Sequence, residues 1–259
     1  MVYNLITKEE RVKAIITDLD RTLLHTDKSV SEYTVAVLKK CHDHGILIMA
    51  ASARPIRDIR IYNNLIGFDA ITATNGAVVS LPQNRLEIGI PCESGEKILS
   101  AILQYSDVFL SIETSKGLYS NRDIPVWEPV IWDKFPTLPE DIILYKILAS
   151  SQQKPLYEGV KNTLTDDVYH TIANNNLIQI MSSKATKWNG IRQMLSYFGV
   201  SPSEAVYFGD DNDDIEPIKN CGLGVAVSNA IPSVLDLADR IIDSNDMDGV
   251  ARFIEENIL

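Results

Sequence analysis

The feature that most constrains this chain is a strand-helix-strand rhythm that occurs twice, before residue 82 and again after residue 183, with a different pattern between. The first block runs from the β-branched "VKAIITDLD" through "SVSEYTVAVLKKCHDHG" and "ILIMAAS" to a second helical pattern after Pro55, and ends in "DAITAT". Short apolar runs alternating with amphipathic helices predict a parallel sheet covered on both faces. Ser29 and Glu32 predict a capping box for the first helix, with Tyr33, Val37 and Cys41 on one face and Gly45 as its stop. Pro55 is the expected first residue of the next helix, which carries Ile59, Tyr62 and Ile66 on one side.

Near Pro82 the rhythm changes. "RLEIGIP", "VFLSIET", "GLYSN", "DIILYKILAS", "VYHTIAN" and "NLIQIM" read as strands, some without helices between them, and helical patterns lie near 94–105 and 154–164. This predicts an α+β unit inserted into an α/β one. From Lys184 the first rhythm returns: "KWNGIRQMLSYFG", with Ile191, Leu195 and Phe198 on one face, then "AVYFGDD", "GLGVAV", "RIID" and "GVARFIEENI". The expected division is therefore a discontinuous core, 1–81 with 184–259, and an inserted unit, 82–183.

A chain of 259 residues with 45% hydrophobic content can bury a substantial core. Its formal charge of -11 argues against nucleic acid or an anionic membrane as a partner, since both need clustered Lys and Arg. An anionic small molecule needs a local positive site instead. "ILIMAA" is far too short to span a bilayer, and the N-terminal stretch mixes acids and bases, so a soluble protein without a signal peptide is expected. Cys41, Cys92 and Cys221 are widely spaced and odd in number, which fits a reducing cytoplasm better than a disulfide framework. Nothing in the composition sets an oligomeric state.

Two acidic clusters end predicted strands: Asp18 and Asp20 in "IITDLDRT", and the group that begins at Asp210 in "VYFGDDNDDIEP". Ligands of an open parallel sheet bind outside the carboxyl ends of its strands. Carboxylates converging there repel one another and resist leaving water, so a counter-charge is required. A hard oxygen cage of this kind suits Mg2+, which commonly also takes a substrate phosphate oxygen.

"DLDRT", a strand ending in Ser52, Lys187 and "GDDNDD", in that order, resemble the four motifs of the haloacid dehalogenase-like (HAD) phosphohydrolases. The insertion between the second and third motifs, "TNGA" before it and "ADRIIDSNDMDGVA" near the end resemble the Cof-type branch, subfamily IIB. The resemblance implies an α/β fold, with a Rossmann-like parallel-sheet core and an inserted α+β cap of the C2B type. It implies a phosphoric monoester hydrolase acting on a small phosphorylated metabolite, with a sugar phosphate as the expected class. Asp18 becomes the nucleophile that forms an aspartyl-phosphate, and Asp20 the general acid and base. Mg2+ is then held by Asp18, the Asp20 main-chain carbonyl, Asp210 and Asp214. Ser52, Lys187 and Asp213 face the phosphoryl group, and Arg54 and Asn75 face the substrate.

Four positions depart from the pattern: Arg21 where Gly is frequent, Ser52 and Ala53 in Ser52-Ala53-Arg54 for Thr-Gly-Arg, and Asp213 for Asn. A phosphomutase shares the aspartyl-phosphate step, and a non-catalytic member would bind phosphorylated ligands only. In the inserted unit Asn121, Arg122 and Trp127 are candidate substrate contacts that an exposed hairpin would equally supply. His25, His42, His44 and His170 lack metal-ligand spacing, and "CGLGVAV" lacks the third glycine of a dinucleotide loop, so it reads as a buried strand.

Overall fold

A computed structural model describes residues 12–125, 127–151, 156–173 and 177–259. The N-terminal residues 1–11 and the first two positions of the helical pattern at 154–164 lie outside the described residues. The chain divides into two compact units, Met1–Leu86 with Lys187–Leu259, and Glu87–Thr186.

In chain order the first unit contains β1 (Ala14–Thr17), α1 (Glu32–Asp43), β2 (Leu47–Ala51), α2 (Ile56–Ile66), β3 (Ala70–Ala73), β4 (Val78–Ser80) and β5 (Arg85–Glu87). The inserted unit follows with α3 (Cys92–Ile102), β6 (Phe109–Thr114), β7 (Gly117–Ser120), β8 (Val130–Ile131), β9 (Leu144–Ser150), α4 (Leu156–Val160), β10 (Val168–Ala173) and β11 (Leu177–Ser182). The chain then returns through α5 (Lys187–Phe198), β12 (Ala205–Gly209), α6 (Ile215–Asn220), β13 (Leu223–Val227), α7 (Pro232–Leu235), β14 (Arg240–Ile242) and α8 (Gly249–Asn257).

The first sheet has the order β14-β13-β12-β1-β2-β3-β4-β5. Its strands are parallel from β14 to β3, and β4 reverses against β3. Every residue of β1 and β12 is buried, as expected of central strands with helices on both faces. The expected junction after residue 81 falls inside the turn that Leu81 and Asn84 close, because β5 still belongs to this sheet.

Two helix starts lie a short distance from where the sequence pattern places them. Ser31, not Ser29, caps α1 by accepting from the Thr34 N–H, and its hydroxyl also donates to Asp248, whereas Ser29 turns back to Asp27. Thr34, Val37, Leu38 and Cys41 form the buried stripe of α1, which leaves Tyr33 exposed. Pro55 is the N-cap of α2 rather than its first residue, and Ile59, Tyr62 and Ile66 are its buried side. On α5 the close approach to β3 comes through Gly190, where a Cβ would stand 2.1 Å from the Thr72 hydroxyl.

The inserted unit carries a six-stranded sheet, β10-β11-β9-β6-β7-β8. Leu110 and Ile112, Ile147 and Ala149, and Ile178 and Ile180 alternate inward from β6, β9 and β11 to meet Ile98, Leu99 and Ile102 of α3. Asn121 serves the backbone at Val108 and Leu110, and Arg122 pairs with Asp107, while Trp127 is exposed. Among the described residues, no helix is long and apolar enough to cross a membrane.

Candidate active site

Parallel pairing of β1 with β12 puts Thr17 beside Phe208, so the residues just beyond, Asp18 and Asp210, emerge from neighbouring strand ends. Ser52 follows β2 and Asn75 follows β3, at the same edge of the sheet. One edge therefore gathers both acidic clusters and most of the other predicted site residues, as the topology of an open parallel sheet directs.

Asp18, Asp210 and Asp214 are all buried, and each offers a carboxylate oxygen within 4.8 Å of the others. Lys187, the first residue of α5 and itself buried, donates to Asp18 Oδ1 at 2.8 Å and to Asp214 Oδ1 at 2.7 Å. Burial opposes the Lys187 ammonium, but Asp18, Asp214 and Asp213 hold it above the ordinary lysine range. Burial also pushes the Asp18 carboxyl well above its usual range, with Asp214 and Asp210 adding repulsion that Lys187 opposes. Asp210 is pushed up to about 6 by burial and by the Asp214 charge, against a hydrogen bond from Thr22 and the charges of Lys187 and Arg21.

Asp214 occupies a socket. Its Oδ1 accepts from Lys187 and from the Tyr207 hydroxyl at 2.6 Å, and its Oδ2 accepts from the main-chain N–H groups of Asp210 and Asp211 at 2.8 and 3.0 Å. Four donors fill the lone-pair positions of one carboxylate. Gly209 makes this possible, because a Cβ there would lie 2.6 Å from the Asp214 side chain.

Asp20 points elsewhere. Arg54 grips it with two bonds, Nε to Oδ2 at 2.6 Å and Nη2 to Oδ1 at 2.8 Å, and Lys28 donates to Oδ1 at 2.8 Å. The Arg54 guanidinium lies over the Tyr62 ring, 5.4 Å from its centroid, and the Tyr62 hydroxyl donates to the Lys28 carbonyl. Partial burial works against the Asp20 charge, yet the bonds from Arg54 and Lys28 win and hold the carboxyl down to about 2.

Each predicted site residue now has a place. Asp18, Lys187, Asp210 and Asp214 form one buried cluster. Asp20 and Arg54, expected in different roles, are partners. Asn75 donates its side-chain amide to Asp213, so these two also meet. Ser52 is buried, and its hydroxyl accepts from the Arg54 N–H at 3.2 Å. The sequence pattern does not single out Lys28 or Tyr207, and it places Tyr62 only on the packed side of α2. Tyr207 had a signal, a phenol within a buried apolar run that needs a partner, whereas nothing local distinguishes Lys28 from a solvated lysine.

The family profile of the haloacid dehalogenase-like hydrolases matches residues 15–254. The chain belongs to that family. A 5-amino-6-(5-phospho-D-ribitylamino)uracil phosphatase, YitU of Bacillus subtilis, is 27% identical, with 96% of this chain and 98% of that one aligned. A phosphoglycolate phosphatase of Methanopyrus kandleri is 24% identical over 93% of this chain and 95% of its own. Among solved structures, the haloalkanoate-superfamily phosphatase BT1666 of Bacteroides thetaiotaomicron superposes with a TM-score of 0.83 at 24% identity, covering 96% of both chains. The haloacid dehalogenase-like fold thus extends over both units of this chain.

Proposed function

We propose that this haloacid dehalogenase-like phosphatase hydrolyses a small phosphomonoester, a sugar or polyol phosphate, through an aspartyl-phosphate on Asp18. The observation that carries the reading is the buried cluster of Asp18, Asp210 and Asp214 around Lys187, because among the described residues three carboxylates meet one ammonium there. A divalent cation fits that excess: the donors are hard oxygens, and two of the carboxyls are pushed upward for want of positive charge. Asp18 and Asp210, with the Asp20 carbonyl, are its proposed ligands, and we assign it as Mg2+. When bound, Mg2+ supplies Lewis-acid stabilisation of charge on the phosphoryl oxygens. Asp214, with four donors already in place, is better suited to holding Lys187 and the 210–211 main chain.

Asp18 attacks phosphorus through a carboxylate oxygen, and the bond to the ester oxygen breaks. Asp20 delivers its proton to the departing alkoxide and then takes one from the water that attacks the aspartyl-phosphate, which regenerates Asp18 and releases inorganic phosphate. The Arg54 and Lys28 grip keeps Asp20 ionised, the state that the second half needs. In the first half an anionic substrate competes for those cations, which lets Asp20 carry its proton. Two of the three Lys187 donors serve Asp18 and Asp214, and the third serves a phosphoryl oxygen together with the Ser52 hydroxyl. Asp213, bound by Asn75, orients that amide beside the phosphoryl site.

The polyol or sugar class takes its support from the relative whose substrate is a phosphoribityl compound. We read Glu87–Thr186 as the cap that selects the leaving group. Phosphate release from a panel of phosphorylated sugars, polyols and short acids, with Mg2+ or with chelator, tests the reading beside Asp18→Asn. Metal-dependent release that the substitution abolishes is expected. Release by Asp18→Asn at the unaltered rate overturns it.

A further inference from the structure

The C-terminal "SNDMDG" lies far in sequence from Asp20, yet it is joined to the loop that follows Asp20. Asn245 is buried and donates its side-chain amide to the Leu24 carbonyl at 2.9 Å. Leu24 in turn bridges to Asp20, and its N–H donates to the Leu19 carbonyl at 2.8 Å. Asn229, in the turn after β13, spans the remaining gap. Its amide N–H donates to the Arg21 carbonyl at 2.8 Å, and its side-chain oxygen accepts from the Asn245 N–H at 3.0 Å. The Arg21 guanidinium returns the contact to the Asn229 carbonyl at 3.1 Å.

These bonds surround a strained residue. Arg21 has φ of +61°, the left-handed region that a side chain enters at a cost of about 1 kcal/mol or more. A glycine there would adopt the turn unaided, whereas an arginine needs its carbonyl held. Carbonyls 21 and 24 are therefore pinned by two asparagines on either flank of the turn that leaves Asp20. On the other side, Arg54 and Lys28 hold the carboxylate itself.

We propose that Asn229 and Asn245 are positioning residues that fix the main chain beside Asp20 and so aim its carboxyl at the leaving oxygen. This rests on the reading of Asp20 as proton donor: its O–H bond breaks as the proton passes to the departing alkoxide. An alkyl phosphate needs that proton, whereas p-nitrophenyl phosphate expels a stable phenolate and needs it little. Loss of aim therefore depends on the leaving group, and loss of folded protein does not.

The test measures kcat and KM on an alkyl phosphate and on p-nitrophenyl phosphate for wild type, Asn245→Ala, Asn229→Ala and Asp20→Asn, each checked for a cooperative thermal transition. The asparagine variants are expected to lose about 10- to 100-fold in kcat/KM on the alkyl ester and less than about threefold on the aryl ester, because kcat/KM reads the steps up to departure of the leaving group and not the hydrolysis of the aspartyl-phosphate that both esters share. Asp20→Asn should show the same bias more strongly. If Asn245→Ala does not fold, the half-exposed Asn229 carries the test alone. Equal losses on both esters, or none on either, overturn the positioning role while Asp20→Asn keeps its bias. If Asp20→Asn shows no bias, the reading of Asp20 itself fails, and the proposal with it.

Discussion

Each unit of the molecule buries charge, and the balance differs. Among its described residues the inserted unit buries one acid and one base, Glu113 and Lys146, which stand opposite each other in the β6 and β9 register. The first unit buries Asp18, Asp210 and Asp214 with only Lys187 among the described residues. A balanced pair is complete in itself and is compatible with a purely structural role. An unbalanced cluster is stable only if protonated or if positive charge arrives from solution. The difference marks which polar group in this fold is chemically unfinished.

The largest disturbance of that contrast should come from Lys187→Met, which leaves the first unit's acids with no buried cation. We expect a loss of about 3–5 kcal/mol in stability, read by chemical denaturation without divalent cation, and a partial recovery as the pH is lowered and the carboxyls take up protons. In the inserted unit, Lys146→Met or Glu113→Gln alone should cost about 1–3 kcal/mol, and the pair of changes together distinctly less than their sum. Added Mg2+ should raise the melting temperature of these variants as much as that of wild type. A divalent-ion response that vanished in Lys146→Met would erase the contrast.

A smaller effect should separate the two charge sets by pH. The Asp210 carboxyl is raised from 3.8 to about 6 on folding, so the folded protein binds the extra proton between those values. Its contribution is present below 3.8 and is lost as the pH rises through about 6. The metal-free protein should therefore lose on the order of 2 kcal/mol between pH 4 and 6.5, and saturating Mg2+ should restore it most at the upper end. Asp20 acts in the opposite sense and in a lower window: its stabilising charge counts in full above 3.8 and is lost as the pH falls from there through about 2. A melting temperature that climbs steadily from pH 4 to 7 without metal would contradict this.

The sequence made the first unit legible because its information is local. Apolar runs fixed the strands, acids at their ends fixed the edge that carries the site, and the parallel order of β12, β1, β2 and β3 brought those ends together. The misreadings came where a distant residue decides between near-equivalent neighbours. Ser31 prevails over Ser29 as the α1 cap in a setting where Asp248 receives its hydroxyl. The pairing of Arg54 with Asp20, which Lys28 also holds, has no local signal beside the substrate contact that Arg54 suggests. Asn229 carries no local signal, and Asn245 stands out only as part of "ADRIIDSNDMDGVA", since the Arg21 and Leu24 carbonyls they hold lie more than two hundred residues away in the chain. "RLEIGIP" promised a full strand, but only Arg85–Glu87 pairs, at the edge of the first sheet.

The most direct test of the central claim is to quench the enzyme during turnover with borohydride, which reduces an aspartyl-phosphate to homoserine, and to locate the product by peptide mass. Homoserine at position 18, dependent on both a phosphomonoester and Mg2+, is the predicted result. Phosphate release without homoserine at 18, or homoserine at Asp210 instead, would contradict the account.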